Sequence, residues 1–181
     1  MKITKFQFLT GFLALVVTLA VIYTGQTFWK KHFVSQPLDK ALKAIAEVKK
    51  AELEEGGKLN EALVVHVTLD NVNNLQDTYK AINDKIQEAY GNKAYKLEIK
   101  DSRSPELEQL FNDINYYVQE AIVDGNFPLL AEKSGEMAKK LGIECKIFVD
   151  SENIYVQLSD KSASLYDVVP RSAPVAGGNV Q

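Results

Sequence analysis

Leu63-Val64-Val65-His66-Val67-Thr68-Leu69-Asp70 decides how this chain is to be read. Leu63, Val65, Val67 and Leu69 fall on one side of an extended backbone, and Val64, His66, Thr68 and Asp70 fall on the other. Successive side chains of a strand point to opposite faces, so this is a β-strand with one face in a core and one toward water.

Downstream, Leu75, Tyr79, Ile82 and Ile86 recur at helical spacing within Val72–Tyr90, and Gly91-Asn92 stops the run. That pattern predicts a helix. Ala94–Lys100 then repeats the strand signature: Tyr95, Leu97 and Ile99 alternate with Lys96, Glu98 and Lys100. One face of the sheet is thereby expected to stay open to solvent.

Ser104-Pro105-Glu106 opens a helix carrying Leu107, Leu110, Phe111, Ile114, Tyr117, Val118, Ala121 and Ile122. Asp124-Gly125 breaks it, Asn126-Phe127-Pro128 restarts a helix, and Gly142 ends that one. Ser or Asn before a first-turn proline, and glycine past the last turn, are the expected punctuation. Ile143–Asp150, Ile154–Ser159 and Ala163–Val169, separated by short polar turns, read as an antiparallel meander. The fold expected is α+β, a two-layer α/β sandwich with a mixed sheet and a C-terminal antiparallel meander. Element order alone transfers no function.

Upstream, Ser35-Gln36-Pro37 is a helix-entry signal, and Leu38, Ala41, Leu42, Ile45 and Val48 follow at helical spacing until Gly56-Gly57. This predicts one helix over Pro37–Glu55, within a juxtamembrane segment 32–57. Before it, Phe6–Trp29 holds no charged residue and is flanked by Lys2 and Lys5 on one side and Lys30 and Lys31 on the other. At ~1.5 Å per residue such a run crosses a ~30 Å hydrocarbon layer. Tyr23, Phe28 and Trp29 gather where rings sit at headgroups. The run is longer than a signal-peptide core and ends in aromatics, so residues 6–29 are expected to be an uncleaved, single-pass anchor in the lipid bilayer. The short charged N-terminal tail favours an extracytoplasmic domain. The organisation expected is anchor 1–31, helix 32–57, α+β domain 58–170 and a disordered tail 171–181 of small, mostly uncharged residues.

The 181 residues leave room for one domain beside that anchor, and 46% hydrophobic with 25% charged residues is an ordinary globular balance. Past residue 31 there are 17 Lys/Arg against 24 Asp/Glu, a net of −7. An acidic body argues against nucleic acid, whose phosphates need clustered cations. Cys145 is the single cysteine, which excludes a disulfide scaffold and a Cys-rich zinc site. No Asn-x-Ser/Thr acceptor occurs, in keeping with a bacterial cell envelope.

Chemistry is sparse. A Cys145/His66 dyad is opposed by strand parity, since Cys145 shares a face with Ile147 and Val149 while His66 lies opposite the apolar face of its strand. His32 and His66 do not converge at metal-ligand spacing. Asp70, Asp101 and Asp150 each end a strand and could form an acidic rim, although Asp there usually serves a turn or cap. No phosphate loop or nucleophile elbow is present, so neither catalytic residues nor a cofactor or metal site are assigned. The expectation is a membrane-anchored, non-catalytic interaction or scaffold domain that meets another envelope protein or itself. A tethered ligand-binding or sensory domain is the alternative, and a hydrolase using strand-end carboxylates comes third. The partner-facing residues expected are His66, Lys96, Glu98 and Tyr155, on the open side of the sheet.

Overall fold

The computed structural model describes residues 15–20, 36–54, 63–91 and 93–172. In chain order the elements are α1 (Gln36–Lys43), β1 (Val48–Glu54), β2 (Leu63–Leu69), α2 (Leu75–Tyr90), β3 (Tyr95–Lys100), α3 (Pro105–Asp124), α4 (Phe127–Leu141), β4 (Glu144–Val149), β5 (Asn153–Ser159) and β6 (Ser164–Pro170). The α+β reading holds.

The strands form two three-stranded sheets, not one. The first has the order β1-β2-β3, with β1 antiparallel and β3 parallel to β2. The second is the antiparallel meander β4-β5-β6. They meet edge to edge at a single antiparallel bridge between Ser102 and Ser164.

The helix expected over Pro37–Glu55 is a correction: it ends at Lys43, and Val48–Glu54 is a strand. A β-bulge explains the misreading. The ladder shifts register between Val48 and Lys50, so Val48 and Ala51, three residues apart, are both buried opposite Leu69 and Val67. Two inward residues separated by three imitate a helical stripe, while the extra residue is absorbed in the bulge.

One core lies between α1, α2 and the inner face of the first sheet, where Leu38, Leu42, Val65, Val67, Leu75, Ile82 and Ile86 are buried; Tyr155 and Tyr166 of the second sheet reach into it. The other lies between α3, α4 and the opposite face of the second sheet, with Leu107, Ile114, Val118, Leu130, Val156, Leu158 and Leu165. Helix α2 thus covers the same side of both sheets, and α3 and α4 cover the far side of the second sheet only. Among the described residues no helix covers the far side of the first sheet.

Local signals set these helices. Ser104 accepts the N–H of Leu107 ahead of Pro105, and Asn126 accepts that of Leu129 ahead of Pro128. Gly125 takes a left-handed φ of 73° between α3 and α4, a turn no other residue makes so cheaply.

No helix among the described residues is long and apolar enough to cross a membrane. The expected span 6–29 lies outside the described residues except for 15–20, which are helical with Leu15, Val16, Val17 and Leu19 exposed. The expected tail lies outside them from residue 173 onward.

Two outcomes are expected from these cores. A chain of residues 36–172 folds cooperatively without the N-terminal segment, as circular dichroism melts would show by a single transition. Ile82→Ala, at a fully buried site in α2, lowers stability by about 2–5 kcal/mol in urea titrations.

Candidate interaction surface

The outer face of the first sheet is built by alternation. On β2 the inward residues Leu63, Val65, Val67 and Leu69 are buried, and Val64, His66 and Thr68 between them are partly exposed. Three cross-strand rows follow from the register: Glu54–Val64–Lys96, Glu52–His66–Glu98 and Lys50–Thr68–Lys100.

His66 sits in the middle of this face with its side chain 16% exposed. Its Nε2 is 3.3 Å from Glu54 Oε2 on β1, and its Nδ1 is 3.0 Å from Glu98 Oε2 on β3. The second contact has ion-pair distance without hydrogen-bond alignment, leaving Nδ1 without a hydrogen-bond partner. Around it, Lys96 reaches Glu98 at 2.7 Å and Lys100 approaches Glu52 at 3.6 Å, with Lys50 also on Glu52. Hydrogen bonding from Lys96 holds the Glu98 carboxyl below its usual range, and Lys50 does the same for Glu52. Alternation leaves the strand order open; the structure brings His66, Lys96 and Glu98 together on adjacent strands.

Tyr155 is not with them. It is 1% exposed and lies on the inner side of the second sheet, its ring edge-on to Tyr79 of α2 at a centroid distance of 5.6 Å. The alternation of β5 was legible, but β5 is a central strand whose second face is roofed by α2. Gln157, the next residue on that face, is also buried: its amide donates to Val72 O at 2.7 Å and accepts from Leu75 N–H at 3.2 Å. The available signal was that Tyr155 and Gln157 are amphipathic enough to be buried with their polar ends satisfied.

The other candidates separate. Cys145 belongs to the second sheet and His66 to the first, so no dyad assembles. Burial pushes the Cys145 thiol up to about 11, so it stays protonated at neutral pH. Asp70 faces Lys49 at 3.2 Å in solvent. Asp101, with its side chain 4% exposed, takes both Nε and Nη2 of Arg103 at 2.9 Å and the N–H of Tyr166 at 2.9 Å.

Asp150, which the chain pattern marked only as a strand end, is a structural hub. Its Oδ1 accepts the N–H groups of Glu152 and Asn153 at 2.9 and 2.8 Å. Its Oδ2 accepts from Tyr155 Oη at 2.9 Å, and from Gln76 and Lys80 of α2 at 3.3 and 3.1 Å. Burial opposes its charge, but the Asn153 and Glu152 N–H groups, with Lys80 and Tyr155, outweigh it and hold the carboxyl well below the usual carboxylate range. The three strand-end carboxylates thus serve separate local contacts and form no common rim. Among the described residues no group of three or more His, Cys, Asp or Glu side chains is placed to hold a metal ion.

No protein-family model matches this chain, and no curated protein or solved structure does either.

Asp150 carries a pH prediction. Its carboxyl is depressed in the folded state, so its stabilisation is present above the unfolded value of ~3.9 and is lost as pH falls through the folded one. Asp150→Asn is expected to cost about 1–3 kcal/mol at pH 7, with the deficit shrinking below pH 4. Denaturation at pH 7, 5 and 3 checks it. Cys145→Ser should lower the melting midpoint while leaving partner binding unchanged, since the hydroxyl enters an apolar face.

Proposed function

We propose that this chain is a membrane-tethered, non-catalytic interaction domain that engages a protein partner of the cell envelope through the outer face of the first sheet. The tether is the charge-free run 6–29 with its lysine flanks. The observation that carries the reading is the uneven covering of the sheets: among the described residues, helices pack on both faces of β4-β5-β6 and on one face of β1-β2-β3.

Isolated surface ion pairs stabilise by only ~0–1 kcal/mol. The ladder of Lys50, Glu52, Glu54, His66, Lys96, Glu98 and Lys100 is thus a poor device for holding the fold and a good one for fixing the orientation of a partner with complementary charges. A ligand-binding reading has less support. The cavities near Glu47 and at Tyr79 have volumes of about 290, 250 and 190 Å³, below the ~300–1,000 Å³ of ordinary small-molecule sites.

The test is photocrosslinking of the full-length chain in its native membrane, with a crosslinking side chain at Thr68 or Lys96 and a control at Tyr116, which is 79% exposed on α3. The expected result is one discrete adduct from positions 68 and 96, abolished by Glu98→Lys, with the chain retained in the carbonate-washed pellet. Adducts from position 116 alone would move the contact to the helical layer, and release of unprocessed chain into the wash would remove the tether from the reading.

A further inference from the structure

His66 lies at the centre of the outer face, between Glu54 of β1 and Glu98 of β3, and both nitrogens of its ring face carboxylate oxygens. Nε2 is 3.3 Å from Glu54 and Nδ1 is 3.0 Å from Glu98. A neutral imidazole carries one N–H donor and one lone pair, whereas the imidazolium carries two donors. Whichever nitrogen holds the single proton, the other sets its lone pair against an oxygen that has only lone pairs to offer. One proton cannot serve both carboxylates.

Water does not relieve this conflict. The side chain is 16% exposed, and Nδ1 is closed off from solvent with no hydrogen-bond partner among the described residues. Glu98 stands at ion-pair distance from it without hydrogen-bond alignment. That contact is one of charge, and it becomes attractive when the ring is a cation.

The groups around the ring define what its second proton changes. From β1 come Lys50, Glu52 and Glu54, and from β3 Lys96, Glu98 and Lys100. On β2 itself the outward neighbours Val64 and Thr68 are uncharged, and Asp70 beyond them meets Lys49. Among the described residues no helix packs on this face. Lys50 and Lys100 gather on Glu52, and Lys96 on Glu98. Glu54, with its side chain 75% exposed, meets the ring and no lysine among the described residues.

Lysines and carboxylates keep their charges between about pH 5 and 8, the range in which imidazoles exchange a proton. Within that range the ring is the variable member of this ladder. While it is neutral, the exposed carboxylates of Glu54 and Glu98 remain open to cations from outside. The acidic balance of the chain past residue 31, 17 Lys/Arg against 24 Asp/Glu, suits a partner that supplies them.

We propose that His66 is a proton-operated release for the outer face: with a neutral ring Glu54 and Glu98 hold cationic groups of the partner, and a second ring proton clasps both carboxylates, places a positive charge between them and lets the partner go. This rests on the docking reading above, and adds to it the partner's charge at this spot and its dependence on acidity.

The experiment repeats the crosslinking from Thr68 in the native membrane at pH 7.5 and pH 5.5. The adduct is expected to fall at least threefold at the lower pH. His66→Gln, which keeps a donor and an acceptor but takes up no second proton, should give the higher yield at both pH values. His66→Arg, charged throughout, should give the lower yield at both. A second measurement needs no partner: in the full-length chain in detergent, His32→Gln leaves His66 as the only imidazole. Ring nitrogen NMR spectra at pH 5.5 should then show two N–H groups shielded from water, one lost on Glu54→Ala and the other on Glu98→Ala. An adduct indifferent to pH, a pH dependence that survives His66→Gln, or ring protons indifferent to both carboxylates would overturn the release and leave the docking reading standing. No adduct at either pH would overturn the docking reading and the release with it.

Discussion

Packing of α2 against both sheets at once is the constraint on which the rest depends. Leu75, Ile82 and Ile86 sink into the first core, each contributing on the order of 1.5–3 kcal/mol over an exposed position. Tyr79 turns its ring toward Tyr155 of the second sheet. A helix gripped on two sides fixes the angle between sheets that, among the described residues, share one backbone bridge. Polar contacts then set the register. Gln157 satisfies Val72 O and Leu75 N–H, and Tyr166 Oη accepts the N–H of Val72, so the turn leading into α2 is held by side chains from β5 and β6. Removing either side chain leaves buried backbone groups unpaired, at ~1–3 kcal/mol each.

Asp150 extends the same logic to the middle of α2. It orders the turn between β4 and β5 through two backbone N–H groups and meets Gln76 and Lys80 with its other oxygen. Burial and this carboxylate together push the Tyr155 hydroxyl to about 12, so it remains a donor throughout the physiological range. A turn residue, a strand tyrosine and two helix side chains therefore act as one unit, and the two halves of the molecule are coupled by chemistry as well as by packing.

How much of this was legible in the sequence follows from which signals are local. β2, β3, α2, α3 and α4 declare themselves through periodicity and caps, because each owns one apolar face and is bounded by Gly, Pro, Ser or Asn. β1 does not, since a bulge converts its period of two into an apparent period of three. The outward placement expected for Tyr155 fails for a different reason: alternation says which residues share a face, and only tertiary structure says whether a helix covers it. Alternation puts His66, Lys96 and Glu98 each on the solvent side of its own strand, but that they are neighbours follows only from the β2–β3 register, which no local signal states. The division into two sheets was not legible, because nothing local to β3 or β6 states that they face each other without pairing.

That division has a physical cause near Asp101. Both of its oxygens are used, by the guanidinium of Arg103 and by the N–H of Tyr166, so a side chain occupies the place on the β6 edge where a neighbouring strand's carbonyl would sit. The edges are pinned at one end by this carboxylate and by Ser102, and α2 lies across the inner side of both sheets. Continuing the ladder would require β3 to close on β6 over the ring of Tyr79, which lines a cleft between them. Leu97, Ile99 and Val168 stay half-buried as a result, and at ~25 cal/mol per Å² of apolar surface their incomplete burial leaves stabilisation unrealised. In a chain whose other inward strand residues are largely covered, that unrealised surface is concentrated along the one line where both flanking backbones already have strand geometry.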